Sequence, residues 1–280
     1  LWTVAWLDPH QMVTPEPFSK KMSPASQAGT ALYLLIDQSG SMGGSLDQSS
    51  TSKWAAIQQA LVPFIQDQPQ DLIGLLSFAR TPRLISPLTL DHTFLIHALQ
   101  QLTPVDSPEE NGTAIGYALY KASYLVKTLQ QALSHAPKMA YHFTANPRIL
   151  LITDGFQDPN YLDYGNALRT LELNEALEQL LQEKIHLDII LLQTPSKEFT
   201  LQKKHLEEMS VKTGGLFAVV HTSGQLTSAL KKIQGFHLEF PTTGTPPKRK
   251  NSLFPIFLVF GLVSYLSGIC IEILYLRKVP

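Results

Sequence analysis

The sequence predicts a doubly wound α/β domain over about residues 30–238, a mostly parallel sheet with helices on both faces in a Rossmann-like arrangement, followed by a C-terminal transmembrane helix. Three observations carry this reading. Unbroken apolar runs, ALYLLID (31–37), DLIGLLSF (71–78), RILLITD (148–154) and IHLDIILL (185–192), read as strands buried on both faces. Segments of helical spacing separate them, so crossover helices join the strands and the strands run parallel. Finally, the 24 residues from Leu253 to Leu276 contain a single charge, Glu272.

In chain order, residues 1–29 form an N-terminal segment. Its first residues, LWTVAWL, are too few to span a bilayer and read either as the tail of a truncated membrane helix or as a short buried strand. Residues 12–29 are rich in Pro, Ser and Gln, as in a linker. After the strand at 31–37, Lys53 to Gln66 places Trp54, Ile57, Leu61, Phe64 and Ile65 on one helical side. RLISPL (83–88) contains Pro87 and suits an edge strand. Thr93 to Leu102 reads as a helix with Asp91 as N-cap, and Thr113 to about Ala132 as a longer one. Ala167 to Gln182, Phe199 to Val211 and Gln225 to Ile233 are further helices, and LFAVV (216–220) is a short strand. Residues 239–252, rich in Pro, Thr, Gly and Lys, form a tether. As a helix, residues 253–276 would extend roughly 36 Å, against about 30 Å for a bilayer core. A short basic tail, 277–280, closes the chain. Three basic residues precede the span and two follow it, so charge does not choose its orientation.

Composition excludes several classes of function. The formal net charge is -1, so nucleic acid is not an expected partner. The single cysteine, Cys270, allows neither an intrachain disulfide nor a thiolate metal cage. There is no Gly-x-x-x-x-Gly-Lys-Ser/Thr loop and no His-Glu-x-x-His, and the nine histidines are scattered.

What chemistry the chain does offer lies at the ends of its predicted strands. Asp37, Ser39 and Ser41 alternate just beyond the first strand, where their side chains can converge. Asn111-Gly112-Thr113 opens a helix, and Ile152-Thr153-Asp154-Gly155 closes the third buried strand. In a doubly wound sheet, ligands sit beyond the C-terminal strand ends where strand order reverses. One carboxylate with two hydroxyls is a hard oxygen set that suits Mg²⁺, and also Mn²⁺. Taken singly, the two serines read as turn formers or caps, Thr113 as an N-cap, and Asp154-Gly155 as an ordinary turn pair. Asn111-Gly112-Thr113 is also an N-glycosylation sequon, but a glycan there would block the proposed site.

The run Asp37-x-Ser39-x-Ser41, then Thr113, then Asp154 resembles a von Willebrand factor A (VWA) domain with a complete metal-ion-dependent adhesion site (MIDAS). DLIGLLSFA (71–79) and LLITDG (150–155) resemble that family's second and fourth strands, and the resemblance covers about residues 30–238. It implies that Ser39, Ser41 and Thr113 bind the metal directly, and that one or both of Asp37 and Asp154 act through water. Such a site leaves a coordination position for an Asp or Glu carboxylate from a protein partner, so binding without turnover is expected. Two other readings stand beside it. One is a Mg²⁺-dependent hydrolase or phosphoryl-transfer enzyme with Asp37 as nucleophile, although Ser39 stands where such enzymes want a second carboxylate. The other is a structural membrane subunit with a vestigial site.

A domain of this kind tied to one C-terminal span also resembles the bacterial Bacteroides-aerotolerance group of membrane proteins. That resemblance implies an inner-membrane protein, anchored in lipid through residues 253–276 with its VWA domain on the extracytoplasmic (periplasmic) side. It further implies a MoxR-type AAA ATPase and other VWA membrane proteins as partners, in stress tolerance or envelope-complex assembly. This chain departs from the group in two places. The group's first membrane helices are absent or truncated, and residues 129–147 make a longer connection than expected.

Overall fold

The computed structural model describes residues 30–47, 51–134, 147–155, 157–193 and 200–239, together with the backbone of 10–12 and 250–252. Its centre is β1 (Ala31–Asp37), buried along its whole length. Leu32, Leu34 and Ile36 face one hydrophobic cluster, and Tyr33 and Leu35 face another. This division explains the unbroken apolar run: successive side chains point to opposite faces, and here both faces are covered.

β2 (Leu72–Phe78) and β3 (Pro82–Thr89) lie on one side of β1. β4 (Arg148–Thr153), β5 (His186–Leu192) and β6 (Phe217–Val220) lie on the other. The resulting six-stranded sheet has the order β3-β2-β1-β4-β5-β6. All neighbours are parallel except β3, which runs antiparallel to β2 at the edge. Pro87 lies in this edge strand, where a missing N–H is tolerated. The chain moves outward from β1 to β3 and then returns to β4 on the opposite side, so strand order reverses between β1 and β4.

Helices cover both faces. α1 (Lys53–Gln66), α2 (His92–Gln101) and α6 (Ser223–Glu239) pack on the Leu32/Leu34/Ile36 side. α3 (Ile115–Ser134), α4 (Leu173–Gln182) and α5 (Thr200–Lys212) pack on the Tyr33/Leu35 side. Asp91 caps α2 as expected, accepting from the Phe94 amide at 2.9 Å.

Several boundaries differ from expectation, among them these three. α3 begins at Ile115, not Thr113, because the Thr113 backbone exchanges hydrogen bonds with Asp158 in both directions, at 2.8 and 3.0 Å. α4 begins at Leu173, not Ala167. Ahead of it, Asn166 Oδ1 accepts from the amides of Leu168 and Arg169, and Arg169 reaches across to Asp163. α6 runs on to Glu239, past the expected end at Ile233, and the half-buried Phe236 lies one turn beyond the buried Ile233.

Residues 1–26 and 243–280 form a second unit, separate from 27–242. Within it, His10–Met12 pairs antiparallel with Lys250–Ser252, a stretch that composition had assigned to the tether. Among the described residues no helix is long and apolar enough to cross a membrane. The apolar segment 253–276, the basic tail 277–280, the N-terminal LWTVAWL and most of both predicted linkers lie outside the described residues.

Candidate functional site

The C-terminal ends of β1 and β4 are adjacent, with Ile36 in register with Ile152. The next residues, Asp37 and Thr153, therefore meet. Thr153 Oγ1 donates to Asp37 Oδ2 at 2.6 Å, and the Ser39 amide donates to Asp37 Oδ1 at 2.8 Å. This second bond turns the chain out of the sheet and starts the short 3-10 turn Gly40–Gly43. Asp37 is 0% exposed. Burial first, and the Asp154 charge second, push its carboxyl up to about 7; the bonds from Ser39 and Thr153 pull the other way.

Above Asp37 the hydroxyls converge. Ser39 Oγ and Ser41 Oγ are 3.0 Å apart, and Ser41 Oγ donates to Asp154 Oδ1 at 2.8 Å. Thr113 closes the group from a third loop. A β-carbon placed on Gly155 would lie 3.7 Å from Thr113 Oγ1, so Thr113 sits against the backbone directly after Asp154. Four of the five sequence-predicted residues are thus linked at the reversal point of the sheet, and Thr113 lies beside Gly155, next to Asp154. Hydrogen bonds connect Asp37 with Ser39, Ser39 with Ser41 and Ser41 with Asp154.

The loops that present these residues brace one another. Gly40 donates its amide to Asn111 Oδ1 at 2.9 Å, and Asn160 Nδ2 donates to the Asn111 carbonyl at 2.7 Å. Between Asn111 and Thr113, Gly112 adopts φ +137°, a conformation that L side chains rarely take, and a β-carbon there would lie 3.1 Å from the Asn160 nitrogen. Asp163, which is buried, holds the loop after Asn160. It accepts from Arg80 Nε at 2.7 Å, Arg80 Nη2 at 2.8 Å and Arg169 Nη1 at 2.7 Å. Its bonds from Arg80 first, then Arg169, hold its carboxyl down to about 2. The loop so pinned exposes Tyr161, Leu162 and Tyr164.

The donor set fits a small hard cation. Octahedral ligation at about 2.1 Å places neighbouring donors roughly 3.0 Å apart, and Ser39 Oγ and Ser41 Oγ stand at 3.0 Å. Among the described residues no three His, Cys, Asp or Glu side chains form a metal cage. A cation in this crevice would therefore depend on hydroxyls and on the two carboxylates.

Several contributors escaped sequence reading. Lys53, the first residue of α1, is buried and pairs its ammonium with Asp154 Oδ2. A lysine at a helix start gives no local sign of such a partner. Thr153 was legible in part, since it shares Asp37's position one strand over. Asn111 was visible as part of a sequon and of a helix-opening segment, whereas its structural part is to brace Gly40. The Arg80–Asp163–Arg169 cluster spans three distant segments and leaves no local pattern.

Residues 32–157 match the family model of the von Willebrand factor type A domain. A protein of Borreliella burgdorferi described only as uncharacterized is 27% identical over 237 residues, covering 79% of this chain and 62% of that protein. The chain thus spans less than two thirds of that relative. Among solved structures, an aerotolerance-related membrane protein from Bacteroides fragilis superposes with a TM-score of 0.56 at 18% identity, over 76% of this chain and all of that one (100%). BatB from Bacteroides thetaiotaomicron gives 0.52 at 18% identity, with coverages of 76% and 100%. The vWF domain of the type V pili tip protein Mfa5 from Porphyromonas gingivalis gives 0.54 at 15% identity, with coverages of 78% and 98%. At these identities the structural likenesses establish the fold.

Proposed function

We propose that this VWA domain binds a protein partner through a Mg²⁺ ion that bridges the domain to an Asp or Glu carboxylate of the partner. Ser39, Ser41 and Thr113 would supply direct hydroxyl ligands, with Asp37 and Asp154 acting through hydrogen bonds or water. Mn²⁺ would suit the same donors. The bound ion would supply a partly unneutralised positive charge, because most of its direct ligands are neutral.

The observation that carries this reading is the oxygen cluster of Ser39, Ser41 and Asp154, at separations of 3.0 and 2.8 Å, set above the buried Asp37 at the reversal point of the sheet. The same geometry disfavours the enzyme reading. Asp37 is 0% exposed and both of its oxygens accept hydrogen bonds, which supports a bracing role for it over attack on a phosphate.

In the wider proposal the domain is held at a bacterial inner membrane through residues 253–276 and works on the extracytoplasmic side, in stress tolerance or envelope-complex assembly. A MoxR-type AAA ATPase and other VWA membrane proteins are the partners proposed. The likeness to an aerotolerance-related membrane protein, and to a pilus-tip domain, supports interaction as the mode of action.

The test is co-purification from membranes in Mg²⁺ and in EDTA, with Thr113→Ala as the control. A partner retained only in Mg²⁺, and lost in the folded variant, is the expected result. Retention in EDTA would sink the proposal.

A further inference from the structure

Lys53 stands in an unfavourable place for a lysine. It opens α1, where the helix dipole disfavours a positive charge. It is also buried, at 8% exposure, although lysine rarely is without a partner. Its placement has local causes. Ser52 caps the helix by accepting from the Ala55 amide at 3.1 Å, and the Lys53 amide donates to the Gly44 carbonyl at 2.8 Å. These bonds lay the side chain across the Ser41–Gly44 turn. A β-carbon on Gly44 would lie 4.0 Å from Lys53 Nζ. The ammonium donates to the Ser41 carbonyl at 3.3 Å and pairs with Asp154 Oδ2. Both contacts are to residues of the proposed ligand set.

We infer that Lys53 is a tethered competitor of the divalent cation, which makes Mg²⁺ binding weak by itself and dependent on an incoming carboxylate. This rests on the metal-bridging reading above. Charge counting gives the reason. Asp37, when ionised, and Asp154 bring two negative charges, and Lys53 offsets one of them. A divalent cation added beside Lys53 leaves the crevice with a net positive charge at short range, in surroundings that screen it poorly. The cation must also share Asp154 with the ammonium. A partner's carboxylate relieves both costs, because it supplies a negative charge to the ion and to the ammonium displaced from Asp154. Metal and partner therefore bind cooperatively, each raising the affinity of the other by the same factor.

The test compares wild type with Lys53→Gln, Lys53→Met and Lys53→Arg, using calorimetric titration with MgCl2 and the rise in melting temperature that Mg²⁺ produces. Lys53→Gln keeps a donor toward Asp154 without the charge, so it should bind Mg²⁺ at least tenfold more tightly than wild type. Lys53→Met should melt earlier than wild type in EDTA and recover in Mg²⁺, while Lys53→Arg should bind Mg²⁺ as wild type does. A purely structural pair would lower stability equally with and without Mg²⁺. Equal or weaker Mg²⁺ affinity in Lys53→Gln than in Lys53→Arg overturns the inference while leaving the metal-bridging reading intact. Absence of Mg²⁺ binding in all four proteins overturns both.

Discussion

Replacing Asp37 by Asn should change how stability depends on pH in the absence of metal. The wild-type carboxyl is fully buried beside Asp154, and its pKa lies at about 7 instead of 3.8. Between those values the folded state keeps a proton that the unfolded state has released. Stability from this group is therefore complete below about pH 4 and is lost as pH rises through about 7. The displacement corresponds to about 4 kcal/mol, and loop relaxation with entry of water brings the expected loss to about 2–4 kcal/mol. Asn cannot ionise, so the variant escapes this loss. The assay is urea denaturation in EDTA over the same pH window, comparing unfolding free energies. The advantage of Asp37→Asn over wild type should grow steadily from about pH 4 to about pH 7. An offset that stays constant across the window would refute the reasoning. Mg²⁺ should flatten the wild-type curve, because a cation stabilises the ionised carboxylate.

Other expectations concern the scaffold. At the end of the sheet away from the site, Arg148 Nη2 donates to Asp188 Oδ2 at 3.0 Å, with side chains 3% and 0% exposed. Burial lowers the Arg148 pKa, against the opposing pull of Asp188. Asp188→Ala should cost about 3–5 kcal/mol in urea unfolding by leaving that arginine buried without its charge partner, and Asp188→Leu with Arg148→Met should recover most of it. Asp163→Ala should raise hydrogen exchange in residues 158–170 by releasing Arg80 and Arg169, with α1 unaffected. In wild type the same clamp should hold at neutral pH and weaken only as pH falls from about 4 through about 2, since the Asp163 pKa is depressed. Gly112→Ala should cost about 1–3 kcal/mol through backbone strain and displace Thr113, weakening any Mg²⁺ response.

How much of this was legible beforehand depended on the range of the interaction. β1 and α1 fall at the residues their patterns mark, because burial on both faces and one-sided helical spacing are local signals. The approach of Asp37, Ser39, Ser41 and Asp154 to one another was also legible, since strand ends in a doubly wound sheet gather at one edge. The start of α4 was not, because residues 167–172 have helical composition but are held by Asn166 and by the Arg169–Asp163 pair. Lys53 was hidden for a similar reason. Its partner Asp154 lies 101 residues away, and only the adjacency of β1 and β4 brings them together.

The central claim, that the hydroxyl-rich crevice holds a divalent cation able to grip a carboxylate, is tested most directly by calorimetric titration of Mg²⁺ into the purified protein, with and without a saturating Asp-containing peptide. The account predicts saturable Mg²⁺ binding that tightens with the peptide and disappears in Thr113→Ala and in the Ser39→Ala, Ser41→Ala pair, with the fold retained. Mg²⁺ binding that is absent in both conditions, or that persists unchanged when those hydroxyls are removed, would contradict it.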